Sequence, residues 1–600
     1  MTDTFWAPRI ETNRTVTIPF AFEKCEETGR VGNFVRAAAV LRGENPDRTI
    51  PPYPFDDTDI YKVIEGASYT LSVQKDPKLD AYLDSLIEKI AAAQEPDGYL
   101  YTARTIDPEH PHKWAGKERW VQEEVLSHEL YNLGHLYEAA VAHYQATAKR
   151  TLLDISLKSA ELLCRTFGPG KRTIYSGHQI VEMGLVKLYR VTNDERYLSL
   201  AKFMLDARGG GDAYNQAHVR VVDQREAVGH AVRATYMYSG IADVAAITGD
   251  KEYVAAIDSI WDNVVSKKLY LTGGIGALHK GEAFGDNFEL PNATAYNETC
   301  AAIGHDYWNH RLFLLHADAK YIDVMERTLY NGLISGVSLD GKLFFYPNPL
   351  ASAGDYQRSP WFGVACCPGN ITRFIASVPG YMYAHQGDAL YVNLFAASSA
   401  QINMASGLAV KMMQETRYPW DGAVRVTVEP FKTSTFAINV RVPGWAREEA
   451  LPSELYRFAD TSARQATLKV NGRPVPLRLE KGYASLRRKW RSRDTIELDL
   501  PMQPRRVLAS SEVAADRELV AIQRGPIVYC AEWPDNSPGE VRELALADGS
   551  ALTAEFRPDL LNGVVVVKGG GFTAIPYYAW AHRGKGQMAV WLRKRATTNS

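Results

Sequence analysis

Glu298-Thr-Cys300 and Cys366-Cys367 gather a carboxylate and three thiols within one short part of the chain. Zinc is held by thiolate, imidazole or carboxylate, usually four donors in a tetrahedron, and Glu298, Cys300, Cys366 and Cys367 make such a set. In an extended stretch, residues two apart face the same way, so Glu298 and Cys300 are expected to project together. Adjacent Cys366 and Cys367 would face opposite ways in a strand. The following Pro368-Gly369 is therefore expected to bend the backbone so that both can serve. The residues alone leave two readings open: a zinc site, or thiols buried in a core. Cys25, Cys164 and Cys530 stand alone and read as core residues. Glu282, next to Gly281, reads as an acid beside a turn.

Up to about residue 385 the pattern is helical. Gly-His pairs at Gly134-His135, Gly177-His178 and Gly229-His230, with a further one at Gly304-His305, are expected to open apolar helices. Each helix then meets a polar turn (Thr147-Ala-Lys-Arg, Thr192-Asn-Asp-Glu, Thr248-Gly-Asp-Lys, His316-Ala-Asp-Ala) and a second helix. Repeated helix pairs must bury their apolar faces on neighbouring pairs, in an open solenoid or a closed ring. The spacing of successive Gly-His pairs (43, 52 and 75 residues) is too irregular for a uniform solenoid, so a closed α/α toroid is expected. The inner helix starts would then converge on one mouth and bring several imidazoles to it. Asp57 and Asp59 precede an apolar helix and read as N-caps. Gly273-Gly-Ile-Gly lacks the strand-then-helix context of a phosphate loop.

After residue 385 the pattern turns to β. Ala423-Val-Arg-Val-Thr-Val and Thr467-Leu-Lys-Val alternate, and Asn471-Gly472 marks a hairpin. The expected organisation is α + β and multidomain: a helical catalytic part over 1–385, a β-sandwich over 386–507 and a second over 508–600. The formal charge of −2 and the lack of long basic runs give no electrostatic support for nucleic acid or an anionic membrane. No stretch reads as a signal peptide or a spanning helix, so a cytoplasmic location is expected.

Taken together and in order, the motifs carry a resemblance. Asp57-Thr-Asp-Ile-Tyr-Lys, Gln94-Glu-Pro-Asp-Gly-Tyr-Leu, His128-Glu-Leu-Tyr, Gly134-His-Leu-Tyr-Glu-Ala-Ala and Gly229-His-Ala-Val-Arg-Ala are followed by Gly281-Glu-Ala-Phe, Glu298-Thr-Cys, Phe345-Tyr-Pro-Asn-Pro-Leu, Trp361-Phe-Gly-Val-Ala-Cys-Cys-Pro and Arg524-Gly-Pro-Ile-Val-Tyr-Cys. Over nearly its whole length the sequence resembles glycoside hydrolase family 127, the retaining β-L-arabinofuranosidases.

The resemblance implies an (α/α)₆ barrel followed by β-sandwich domains, the last of them a dimerisation element. It implies Zn²⁺ on Glu298, Cys300, Cys366 and Cys367, with Cys366 as the nucleophile and Glu282 as the general acid/base. As an acid, Glu282 would need a pKa raised by burial or by negative neighbours. His135, His178 and His230 are implied as partners of the furanose hydroxyls, and Tyr346 as a neighbour of the nucleophile. Trp361 is read as either a sugar-stacking wall or a core residue. The substrate would be a small glycoside or an oligosaccharide. Three alternatives stay in view: a related zinc-cysteine glycosidase acting on another furanose or a branched acidic sugar, a lyase or epimerase on the same toroid, and a non-catalytic carbohydrate-binding protein with structural zinc.

Overall fold

The computed structural model describes residues 1–537 and 539–595. Six helices form a closed ring: α1 (Asp57–Val73), α2 (Glu129–Thr147), α3 (Val181–Thr192), α4 (Ala231–Thr248), α5 (Thr299–His316) and α6 (Cys366–Ser377). Each packs on the next, and α6 returns to pack on α1. A helix surrounded by protein need not be amphipathic. Accordingly α2 is buried without a break from Glu129 to His143, and α4 from Ala231 to Ala242. A second set of helices (Pro77–Ala92, Thr151–Thr166, Glu195–Asp206, Lys251–Lys267, Ala319–Thr328) backs the ring. The first four bury one stripe, in the first of them Leu83, Leu86, Ile87 and Ile90, while Ala319–Thr328 is buried nearly all round.

The repeating polar turns are start signals for this outer set. The Asp76, Asp194, Asp250 and Asp318 side chains accept hydrogen bonds from backbone N–H groups of the first outer turns. They satisfy donors the helices cannot pair themselves. The turn after Thr147 has no side-chain cap.

The Gly-His expectation is corrected in part. His230 is the N-cap of α4, and His178 lies just before α3. Gly134-His135 and Gly304-His305 lie inside α2 and α5. There the glycine matters for packing. A Cβ on Gly134 would lie 2.6 Å from the Val181 backbone nitrogen, and one on Gly304 would lie 2.2 Å from Thr235 Oγ1. Asp57 and Asp59 do not act as caps. Asp57 accepts from the Thr102 N–H and hydroxyl at 3.0 and 2.6 Å, and Asp59 from Arg30 Nε at 2.6 Å.

Beyond the ring, a six-stranded and a five-stranded sheet are built from residues 383–499. The next part is not a pair of separate sheets. Its strands join one branched eleven-stranded sheet, in which Ile527–Glu532 pairs with three other strands. This sheet also recruits Ala351–Ala353 and Tyr456–Phe458 from earlier in the chain. The strand Arg505–Ala509 spans the expected boundary between residues 507 and 508.

Candidate active site

Residues at or just before the start of all six ring helices line one pocket of about 230 Å³: Phe55, His128, His178, His230, Glu298 and Cys366. Glu298 is the N-cap of α5 and Cys300 its second residue; Cys366 and Cys367 are the first two residues of α6. The extended-chain geometry expected from the spacing is thus replaced by helical geometry. Successive helical residues diverge by about 100°, and in a first turn both sulfurs still reach past the helix end. No special Pro-Gly bend is needed. Gly369 instead lets α6 approach α1: a Cβ there would lie 3.1 Å from Lys62 Cβ.

The four donors, one atom from each, lie within 4.8 Å of one another. Cys300 Sγ is 3.3 Å from Cys367 Sγ, and Cys366 Sγ is 3.4 Å from Glu298 Oε1. Two helix N-termini turn the positive end of their dipoles to this cluster, which favours anions. Burial pushes the Glu298 carboxyl well above the usual range, and the charges of Cys366 and Glu282 add to this. Burial and the neighbouring sulfurs push Cys300 and Cys367 up likewise. Cys366 goes the other way. Burial raises it, but hydrogen bonds from Cys300 and Cys367, the Lys62 ammonium and the Tyr346 hydroxyl outweigh burial and hold it well below the ordinary thiol range. Ionised together, four donors this close would repel one another without a cation among them. Glu298 Oε2 is buried without a hydrogen-bond partner, so the donor set fits a bound ion. Its sulfur content suits zinc.

Tyr346 Oη lies 3.1 Å from Cys366 Sγ. The tyrosine is held there because residues 345–348 pair with 296–299. The Thr299 N–H donates to the Tyr346 carbonyl at 3.0 Å, and Asn348 Nδ2 to the Asn297 carbonyl at 2.9 Å.

Glu282 projects from a tight turn in which Gly281 has φ 72° and Glu282 itself φ 51°. A left-handed glutamate is uncommon and needs support. Here the support is explicit. Leu278 and Ala283 exchange two backbone hydrogen bonds, and the Phe284 N–H donates to the Gly229 carbonyl at 2.9 Å. The carboxylate is gripped at both oxygens: His230 Nε2 is 2.7 Å from Oε2, and Tyr296 Oη donates to Oε1 at 2.8 Å. The expected upward pKa shift is therefore corrected. Burial pushes Glu282 up, but His230 outweighs it and holds the carboxyl below its usual range.

The family model described as "Beta-L-arabinofuranosidase, GH127 catalytic domain" matches residues 1–380, with the GH127 middle and C-terminal domains over 389–502 and 504–593. The chain belongs to glycoside hydrolase family 127. A curated relative from Bifidobacterium longum subsp. longum, "Non-reducing end beta-L-arabinofuranosidase", is 36% identical over 615 residues, covering 90% of this chain and 89% of its own. A solved GH127 β-arabinofuranosidase is 54% identical with a TM-score of 0.96, over 99% of this chain and 96% of its own. A GH127 β-L-arabinofuranosidase from Geobacillus stearothermophilus T6 is 40% identical with a TM-score of 0.91, over 99% of each chain.

Within this family 127 chain, the structure brings Cys366, Glu282, His178, His230 and Tyr346 to one pocket but not His135. His135 is fully buried, with Tyr131 at 4.7 Å between ring centroids and Tyr236 at 6.1 Å, and neither ring nitrogen has a partner. The reason is helical arithmetic. His128, which does line the pocket, precedes the first turn of α2, and His135 is seven residues further on. The two share a face but differ in depth by about 10 Å. Burial pushes His128 down to about 3, and both His178 and His230 fall below the usual imidazole range. The three rings are therefore neutral near pH 7 and bring hydrogen-bonding groups, not positive charge, to the pocket. Trp361 is outside the pocket and sits edge-on to Phe20 at 6.5 Å. Lys62, Tyr131 and Arg233 were not read as site residues from the sequence. Lys62 is buried behind the pocket and donates to Thr58 Oγ1 and Tyr131 Oη at 2.9 and 3.0 Å. Tyr131 and Arg233 line the pocket. No helix among the described residues is long and apolar enough to cross a membrane.

Proposed function

We propose that this enzyme is a retaining exo-acting hydrolase that releases L-arabinofuranose from the non-reducing end of β-L-arabinofuranosides. The helical part is read as an (α/α)₆ barrel over 1–385, carrying β domains over 386–507 and 508–600. The observation that carries the reading is the approach of three sulfurs and Glu298 within 4.8 Å in a pocket that Glu282 also lines. The small pocket, below the usual range of about 300–1,000 Å³ for ligand sites, suits one terminal furanose better than a chain interior. A reducing, cytoplasmic setting suits clustered free thiols.

Glu298, Cys300, Cys366 and Cys367 would hold zinc, which supplies Lewis acidity that favours the ionised form of its thiol ligands. The remaining steps belong to side chains. The Cys366 thiolate attacks the anomeric carbon as the glycosidic C–O bond breaks, and Glu282 in its protonated form, the minor one in the free enzyme because His230 holds the carboxyl low, gives its proton to the departing oxygen. A glycosyl thioether and the free alcohol result. Glu282, now a carboxylate, takes a proton from water; the water oxygen attacks the same carbon, the C–S bond breaks and Cys366 regains its electron pair. Two inversions retain configuration. Tyr346, kept protonated by burial and by the charge of Cys366, donates to the sulfur before attack and after release. The neutral His128 and His178 hydrogen-bond the furanose hydroxyls through Nε2, while both ring nitrogens of His230 are engaged, by the Val232 N–H and by Glu282.

The test is turnover of p-nitrophenyl β-L-arabinofuranoside together with zinc content, in the wild type and in Cys366→Ser and Glu282→Gln. Expected are about one zinc per active chain, release of the β anomer and loss of turnover in both variants. Ligand binding without turnover would indicate a binding protein, and an unsaturated product a lyase. Either outcome overturns the reading.

A further inference from the structure

Tyr214 lies in the irregular segment between the Glu195–Asp206 helix and α4, and its position is tied to that of Glu282. Its carbonyl accepts from the His230 N–H at 3.0 Å, while the neighbouring Gly229 carbonyl accepts from the Phe284 N–H at 2.9 Å. His230 and Ala283 form an isolated bridge. Gly229, at φ 70°, presses against this turn so closely that a Cβ would lie 2.1 Å from the Ala213 carbonyl oxygen and 2.7 Å from that of Tyr214. Three strips of backbone, 213–216, 229–230 and 282–284, thus meet at one junction. The Tyr214 ring borders the Glu282 turn, with a Cβ position on Gly281 only 3.6 Å from the ring. It is half-buried and lines the same pocket. The Arg233 guanidinium lies over the ring at 4.5 Å, and His230 meets it edge-on at 5.6 Å. Arg233 covers one face of the ring, and the ring still forms part of the pocket lining, where a ligand can reach it.

The proton donor of a glycosidase faces the departing oxygen, so whatever follows that oxygen lies on the Glu282 side of the pocket. Resting on the function proposed above, we propose that Tyr214 is the aromatic platform of the leaving-group subsite and sets a preference for glycosides whose leaving group is itself a sugar ring. Sugar C–H groups pack on aromatic faces, and such contacts change binding by roughly tenfold. The junction makes the platform rigid with respect to the acid/base, so the stacked ring presents its linking oxygen to Glu282.

The experiment compares kcat/KM for a β-L-arabinofuranosyl-L-arabinose disaccharide and for methyl β-L-arabinofuranoside, in the full-length zinc-loaded enzyme. The readout is the ratio of the two. Tyr214→Ala is expected to lower that ratio about tenfold, mainly through KM for the disaccharide, while Tyr214→Phe keeps it within about twofold. Tyr214→Leu fills the same space without an aromatic ring and is expected to behave like Ala, which covers failure of the Ala variant to fold. An unchanged ratio in Ala and Leu overturns the proposal, as does a loss in Phe equal to that in Ala. A wild type inactive on both glycosides overturns the function reading and this proposal with it. An active wild type with an unchanged ratio overturns this proposal alone.

Discussion

His230 Nε2 lies 2.7 Å from Glu282 Oε2, while Nδ1 of the same ring accepts from the Val232 N–H at 3.2 Å. Because Nδ1 is an acceptor, the neutral ring carries its proton on Nε2 and donates it to Glu282. One imidazole thus caps α4 and lowers the proton affinity of Glu282, the proposed acid/base. His230→Asn separates these roles, since asparagine is a good N-cap but too short to reach Glu282. The sign follows from the causes. Burial raises Glu282 and His230 lowers it, so the variant carboxyl titrates higher. The alkaline limb of kcat/KM, which reports loss of the acid's proton, is expected to move to higher pH as the maximal rate falls about 10²-fold. A pH–rate profile checks both; an unmoved limb counts against the assignment.

Cys300 and Cys367 are fully buried and project from different ring helices. An ion held between them stabilises the fold by mass action. Added zinc is expected to raise the melting temperature of the wild type and a chelator to lower it. Cys300→Ser is expected to show neither response and to purify with substoichiometric zinc. Calorimetry with elemental analysis checks this.

Asp516, in a short turn of the C-terminal part, accepts from Asn292 Nδ2 at 2.7 Å and so braces the segment between Glu282 and Glu298. Burial pushes its carboxyl up to about 7. A carboxyl raised in the fold is unpenalised below its unfolded value near 3.8, and stability is lost as pH rises through about 7. Asp516→Asn removes the titration. Its advantage over the wild type is expected to grow from pH 4 to 7 and then level off, at no more than about 4 kcal/mol. Denaturant melts across that range test it; a pH-independent difference sinks it.

Gly134 lets α2 touch the start of α3. Gly134→Ala is expected to cost about 1–3 kcal/mol, because the Val181 backbone cannot yield as a side chain would. Gly→Ala at Gly380, where a Cβ would meet nothing within 4 Å, is the control. Equal melting temperatures for the two variants would refute the packing argument.

What the sequence made legible followed from short-range chemistry. Aspartates after helix ends announce the outer helices because capping needs only three neighbouring residues. Glu298, Cys300, Cys366 and Cys367 stand out because few side chains hold soft metals. Gly134-His135 misled because a shared dipeptide says nothing about depth. The glycine serves a helix crossing, and His128, one residue before the helix, holds the place at the mouth. Lys62 stayed silent because a lysine in a helical pattern reads as solvated. Its burial depends on α6, some three hundred residues later, closing over α1. The split of Cys366 from its two neighbouring thiols was equally invisible, since it arises from hydrogen bonds with Cys300 and Cys367, aided by Lys62 and Tyr346, which only the folded chain brings together.

The sulfurs come from the starts of the fifth and sixth ring helices, and the sixth is the one that shuts the circle against the first. Cys366 and Cys367 are therefore the last of the four donors in chain order. A chain lacking residues beyond 365 carries the histidines and Glu282 but neither of these thiols. Closure of the ring and completion of the donor set depend on one and the same helix.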